Sequence, residues 1–286
     1  DVVQARIERY GLRLVQDRDF DLVNPYSDPR YNDYVAFYRD QMGRRGVTPE
    51  LAREVVRTEP TVIAAIMVAR GEADAMIAGP VGRFIDHLRD IQDVIGMRPD
   101  IREASTVHGL VLDRGVLFLA DTYVSDAPTV EKIVETTLAA SQAVKRFGIE
   151  PKVALISHSN FGSRESPQVR IMHDALTAIR ARAPGLEIDG EMHADSALIP
   201  SLRDKILPDS TLTGEANLLI MPGLDAAHIA YNLVKAVTGC VSIGPIVLGP
   251  RLPAHVVTPS VTARGITNMA AIACAEAIAL RQGEAG

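Results

Sequence analysis

The sequence predicts an α/β protein built on a largely parallel sheet, and three observations carry that expectation. Short apolar runs alternate with amphipathic stretches, Gly, Pro and hydroxyl residues fall between them, and 47% hydrophobic against 23% charged residues is an ordinary globular balance. At 286 residues the chain can form one large domain or two modest lobes around a sizeable core.

The elements follow in order. Val2, Val3, Ile7, Tyr10 and Leu14 recur at roughly helical spacing from the first residues. With Asp rather than Met at position 1, the chain is expected to be a segment of a longer polypeptide. Thr48 before Pro49 predicts a capped helix start, and an apolar helix from Thr61 should close at Gly71. Residues 75–78 read as a buried strand ending in Gly79 and Pro80. Residues 106–112 and 116–120 read as a hairpin turning at Asp113-Arg114-Gly115, which makes the sheet mixed. Pro128 opens a long amphipathic helix that Gly148 ends. Strands are expected at 153–156, 218–221 and 241–248, the last broken by Gly244 and Pro245. Helices are expected at 167–182, 225–237 and 262–280.

Composition excludes some functions. A net charge of -6 argues against a nucleic-acid surface, which needs clustered Lys and Arg. The longest apolar runs, such as residues 61–68, are too short to span a bilayer, so no membrane partner is expected. No signal-type segment opens the chain, and Cys240 and Cys274 read as small core residues, so a cytoplasmic setting is expected.

In open α/β sheets ligands sit beyond the carboxyl ends of strands. Ser157-His158-Ser159-Asn160-Phe161-Gly162-Ser163-Arg164 directly follows a strand and precedes a helix, a combination suited to phosphate or another anionic oxygen. A capped loop whose side chains satisfy their own backbone is the plainer alternative, and both stay open. Asp189, Glu191, His193 and Asp195 would share one face if extended, but helix capping explains them better than metal binding, and no metal site is expected. Gly79-Pro80-Val81-Gly82 is a fragment of a phosphate loop without the full dinucleotide or P-loop pattern, and no G-x-S-x-G elbow occurs. His87, His108, His173, His228 and His255 are scattered and read as structural or surface residues.

Several segments carry a family resemblance: Asp19-Phe20-Asp21-Leu22-Val23-Asn24-Pro25, Arg44-Arg45-Gly46-Val47-Thr48, Arg70-Gly71-Glu72-Ala73-Asp74-Ala75-Met76-Ile77, Phe147-Gly148-Ile149-Glu150-Pro151, the loop at 157–163, Ile188-Asp189-Gly190-Glu191-Met192-His193, residues 241–245 and Thr267-Asn268-Met269. Together they resemble the phosphotransacetylase-like domain of bacterial malic enzymes, nearly end to end. The resemblance implies a carboxy-terminal domain with a two-lobed, three-layer fold of the isocitrate/isopropylmalate dehydrogenase-like kind, its sheets mixed and mostly parallel. It implies lobes at 1–125 and 126–257, the second inserted into the first, with 258–286 a helix returning to the first lobe. It also implies that the opening strand-helix unit is lacking.

The same resemblance assigns acetyl transfer between phosphate and coenzyme A to a Ser-Arg pair and a downstream Asp. Those positions fall on Thr258, Pro259 and Gly265, and the active-site Cys position on Thr122. Pro cannot carry charge and Gly cannot accept a proton, so no catalytic residue is expected. The implied function is a regulatory, catalytically inactive domain that binds acetyl-CoA or a related acyl-CoA as effector and mediates self-association. Arg89, Ser157, His158, Ser159, Asn160, Phe161, Gly162, Ser163, Arg164 and Thr258 are the expected ligand contacts. NADP and a divalent metal would belong to the malic-enzyme part that precedes it, and no cofactor is expected in this segment. The alternative is an active phosphate acetyltransferase using shifted residues such as Arg264 and Asp225.

Overall fold

The computed structural model of the chain describes residues 2–283. It opens with α1 (Val2–Arg9), an irregular arm, and α2 (Tyr31–Met42). Then come α3 (Pro49–Thr58), α4 (Pro60–Ala69), β1 (Met76–Ala78) and α5 (Phe84–Val94). Thr48 does cap α3, its Oγ1 accepting from Leu51 N at 3.2 Å with Pro49 in the first turn. α4 is apolar almost all round, so it lies at the centre of a helical cluster where Tyr34, Val56, Leu88 and Ile91 are also buried.

The rest of the chain forms β2 (Ser105–Leu112), β3 (Gly115–Ala120), α6 (Val130–Arg146), β4 (Lys152–Ile156), α7 (Pro167–Arg182) and β5 (Glu187–Met192). It continues through α8 (Ala194–Leu198), α9 (Pro200–Ile206), β6 (Leu218–Ile220), α10 (Leu224–Thr238), β7 (Val241–Leu248), β8 (Ala254–Val256) and α11 (Ala263–Arg281). Strand order in the six-stranded sheet is β5-β4-β6-β3-β2-β7, with β2 antiparallel to both neighbours and the other pairs parallel. A second sheet pairs β1 with β8 in parallel. The six-stranded sheet is the middle of three layers. Ile133, Val134, Met172 and Ile179 from α6 and α7 pack on one face with Met269 of α11, while Ala197, Ala227 and Tyr231 from α8 and α10 pack on the other.

Several expectations need correction. The hairpin belongs to the six-stranded sheet, and the helical cluster draws its members from residues 34–104 plus Val247, Ala254 and Val256. Strand pairing changes sheet at Ser105 and Leu248, which are register partners. The crossing before Ser105 is pinned from α6: Lys132 Nζ donates to Glu103 O at 2.9 Å and Ala104 O at 2.5 Å, and Glu135 Oε2 accepts from Arg102 N at 3.0 Å. Gly249 sits against that crossing, where a Cβ would collide with Met97 Cε and Ile101 Cγ2.

β7 is bulged rather than broken. Val107 pairs with Ile246 and Gly109 with Ile243, so Gly244 and Pro245 together oppose His108. A proline is tolerated there because β7 is an edge strand. Cys274 is exposed and Cys240 only half-buried, so neither is a core residue. α11 reaches 19 residues at a mean hydropathy of 1.2 despite interspersed polar side chains, long and apolar enough to cross a membrane by length and composition. Here it packs on β1, β7 and β8, and its Glu276 pairs with Arg146 and His255.

Candidate functional site

The β7 bulge re-aims one side chain. In strand β2, His108 is 1% exposed, and its Nδ1 lies 2.8 Å from Thr122 Oγ1. Burial, then the charges of Lys235 and His228, push its imidazole down to about 3, so it is neutral at physiological pH. Its ring packs 4.0 Å from the ring of Tyr231 on α10, whose hydroxyl meets Ser242 Oγ at 2.9 Å. Lys235, one turn further, lies over the same Tyr231 ring at 5.6 Å. His228 Nδ1 donates to Thr122 O at 3.1 Å, closing the cluster from behind.

These groups form one wall of a cleft of about 240 Å³. The opposite wall is the segment after β8 and the first turns of α11, with Thr258, Ser260, Arg264, Gly265 and Asn268. Thr258 Oγ1 meets Ser260 Oγ at 3.1 Å and hydrogen-bonds the Tyr123 hydroxyl, whose pKa burial raises. Thr262 caps α11 by accepting from Gly265 N at 3.1 Å, which places Gly265 at the cleft floor. Among the described residues the cleft is therefore lined by two cations, several hydroxyls, one neutral imidazole and no carboxylate. Asp121, one residue before Thr122, is buried, but its oxygens already accept from Thr106 N, Thr106 Oγ1, Tyr123 N and Ser125 Oγ.

The residues singled out in sequence divide between places. Thr258 and Gly265 line the cleft; Thr122 is fully buried behind His108; Pro259 is exposed on the turn closed by Val261 N donating to Thr258 O. Arg264 lines the cleft, whereas Asp225 is exposed on α10 and does not. Arg89 is exposed on α5, 3.8 Å from Asp86. Val81 O accepts from His87 Nε2 at 2.6 Å and Thr61 Oγ1 lies 2.7 Å from His87 Nδ1, so the Gly79-Pro80-Val81-Gly82 loop is held by its own neighbours.

The 157–164 loop leaves the same sheet edge two strands away from Thr122, roughly 9–10 Å by strand spacing. Its polar groups meet one another. Ser157 Oγ accepts from Ser159 N, Ser163 Oγ from Asn160 N, and Ser159 Oγ from Arg164 N. Glu191, 1% exposed, accepts from Gly162 N at 2.7 Å, and its carbonyl accepts from Phe161 N. Asn160 Oδ1 accepts from His193 N, and His193 Nε2 donates to His158 O at 3.0 Å. His158 and Arg164 are the large polar side chains that the loop leaves exposed, the former engaged only through its carbonyl. Asp189 is engaged by Arg180, Ser210 and Thr211, and Asp195 by Ser196 N, so the four residues of the alternating stretch serve four separate local roles.

Sequence reasoning missed His108, Tyr231, Lys235 and Ser242. One signal was available: a histidine inside an apolar hairpin strand, opposite a Gly-Pro pair that must distort its neighbour.

Comparison with known proteins places these features. A profile described as phosphate acetyl/butaryl transferase matches residues 1–274. The chain is 52% identical over 275 residues to an NAD-dependent malic enzyme of Rhizobium meliloti and 48% identical over 278 to an NADP-dependent malic enzyme of Escherichia coli. Those matches cover 96% and 97% of this chain but only 36% and 37% of the relatives. A phosphotransacetylase from Streptococcus pyogenes superposes with a TM-score of 0.88 at 27% identity, covering 96% of this chain and 83% of that one. The chain belongs to the phosphate acetyl/butaryl transferase family.

Proposed function

We propose that this family member is the regulatory, carboxy-terminal part of a bacterial malic enzyme, binding acetyl-CoA in the cleft without transferring its acetyl group. The observation that carries the reading is the cleft lining: Lys235, Arg264 and the hydroxyls of Ser242, Thr258 and Ser260, with no carboxylate.

Acetyl transfer from coenzyme A to phosphate needs a cation at the phosphate and developing oxyanion, and a group that handles the thiol proton. Cations remain here. The proton acceptor does not: Gly265 has no side chain, Asp121 is saturated by donors, and an imidazole pushed down to about 3 is a poor base near neutrality. Losing one oxyanion donor alone costs about a hundred- to a thousandfold in rate. At about 240 Å³ the cleft is smaller than the ~300–1,000 Å³ that encloses a drug-sized ligand, so it receives the acyl-thioester end while the nucleotide lies outside. Malic enzymes release pyruvate, one oxidative step from acetyl-CoA, which makes acetyl-CoA a chemically sensible feedback signal. The nicotinamide cofactor and divalent metal belong to the part of such enzymes that this chain does not span, and the setting is cytoplasmic.

Calorimetry with acetyl-CoA tests binding, and a coupled assay for acetyl phosphate tests catalysis. The expected pair of results is saturable heat without turnover; turnover abolished by Arg264→Ala would instead establish the acetyltransferase. In the full-length enzyme, acetyl-CoA is expected to change malate turnover.

Self-association belongs to the same proposal. Ile229, Leu233 and Val237 of α10 are 65%, 60% and 77% exposed and recur every four residues, an apolar stripe of the kind that marks an interface. A second copy of the chain is the occupant proposed for it. Leu233→Lys should shift the species seen by light scattering to lower mass, and an unchanged mass would remove the stripe from the interface.

A further inference from the structure

A second, smaller cavity of about 70 Å³ lies at the other end of β7 and β8 from the cleft. Three arginines border it from three different elements: Arg98 after α5, Arg146 in the last turn of α6, and Arg251 in the β7–β8 turn. It sits where two core clusters adjoin, since Val247 packs in the helical cluster and Leu248 in that of the six-stranded sheet.

The arginines differ in how far their charge is matched. Arg146 is paired with Glu276 at 3.0 Å, and Glu276 Oε2 also lies 3.0 Å from His255 Nε2. Arg251 donates to Ile95 O at 2.8 Å and has no carboxylate partner among the described residues. Arg98 donates from one terminal nitrogen to Gln142 Oε1 at 3.2 Å. Its Nε is buried without a hydrogen bond; Asp100 Oδ1, on a side chain 67% exposed, is 3.5 Å away and off-line. Two guanidiniums thus meet at one cavity with uncharged or solvent-exposed partners, in a chain whose net charge is -6. Buried polar atoms left without a partner are rare and point to a group that completes them.

We propose that this cavity binds a tetrahedral, dianionic oxyanion, either free phosphate or the terminal phosphate of a metabolite. The site is separate from the cleft and goes beyond the acetyl-CoA reading. The volume exceeds the ~10–15 Å³ that a single water needs and suits a compact oxyanion. Arg98 and Arg251 supply two planar forks, the geometry that holds phosphate through paired hydrogen bonds. Gln142 adds a neutral amide, and the Arg146–Glu276 pair closes the rim without changing its charge.

The two sites stand on opposite ends of the same three elements. β7 carries Ser242 at the cleft and Leu248 at the arginine cavity; β8 is flanked by Thr258 and begins at Ala254; α11 carries Arg264 and then Glu276. Variants at one end therefore separate the sites cleanly.

The test is calorimetry on the purified protein in phosphate-free buffer with two probes, inorganic phosphate and glycerol phosphate. Arg251 is exposed, so Arg251→Gln keeps the fold, which thermal unfolding verifies. Saturable binding of at least one probe is expected, weakened about tenfold or more in Arg251→Gln and within about twofold of wild type in Arg264→Ala. Tighter glycerol phosphate identifies a phosphomonoester as the ligand, and tighter inorganic phosphate identifies the free ion; either supports the site. Binding lost in Arg264→Ala but retained in Arg251→Gln would put the anion in the cleft and overturn the proposal, as would no saturable heat at millimolar concentrations of either probe. Neither result bears on acetyl-CoA binding, which is read with a different ligand.

Discussion

Two polar regions, the 157–164 loop at the carboxyl end of β4 and the cleft beside α10 and the start of β7, use their polar groups in opposite ways. In the 157–164 loop, hydroxyls, amides and the buried Glu191 carboxylate close on one another. Around the cleft, Lys235, Arg264, Thr258 and Ser242 face a cavity, backed by His108. A run of Ser, Asn and Gly after a strand is thus no measure of binding capacity. What matters is whether donors are left over once the backbone is satisfied.

The largest expected effect tests that contrast directly. Replacing Lys235 and Arg264 together by Ala removes two charge-assisted contacts of ~1.5–3 kcal/mol each, so acetyl-CoA affinity should fall at least a hundredfold by calorimetry. Arg164→Ala should change it by about twofold or less; an equal loss would show that the loop also holds ligand. Next, Glu191→Ala empties a site where the carboxylate is 1% exposed and removes its charge-assisted bond from Gly162 N, which should lower unfolding stability by ~1–3 kcal/mol in urea, whereas Ser242→Ala at the cleft should cost under ~1 kcal/mol. Equal costs would erase the distinction.

A further effect, small over any single pH step, is in pH dependence. His108 has its pKa lowered from 6.5 to about 3 on folding, so between those values the unfolded chain binds the proton and the folded one does not. Its stabilising contribution is complete above about pH 6.5 and is lost as pH falls toward 3. The limiting slope for one proton is ~1.4 kcal/mol per pH unit. His108→Gln should flatten the stability profile between those limits by up to that slope, and an unaltered profile would mean the imidazole is not held neutral.

Much of the architecture was legible because its signals are local. Thr48-Pro49 announces a helix through its own side chains, and the apolar runs of β2, β3 and β4 are uninterrupted enough to read as strands. Which strands the hairpin would pair with was not legible, because a hairpin does not say which sheet it joins. That is settled by β3 pairing with β6 and β2 with β7, contacts more than ninety residues apart. The cleft was half legible for the same reason. Thr258 and Gly265 were found through resemblance, but Tyr231, Lys235 and Ser242 are ordinary surface-helix and strand-end residues until α10 and the bulge of β7 bring them beside His108.

The register pairing of Ser105 with Leu248 has a consequence for how such a chain can be assembled in evolution. Residues 105–248 enter and leave the rest of the molecule through neighbouring positions one strand spacing apart, with Gly249 wedged against the incoming segment. A piece whose ends touch can be inserted into a host loop, or exchanged for another of similar footprint, without stretching either part. The sheet-bearing half is topologically a cassette, and the helical half is the socket that receives it.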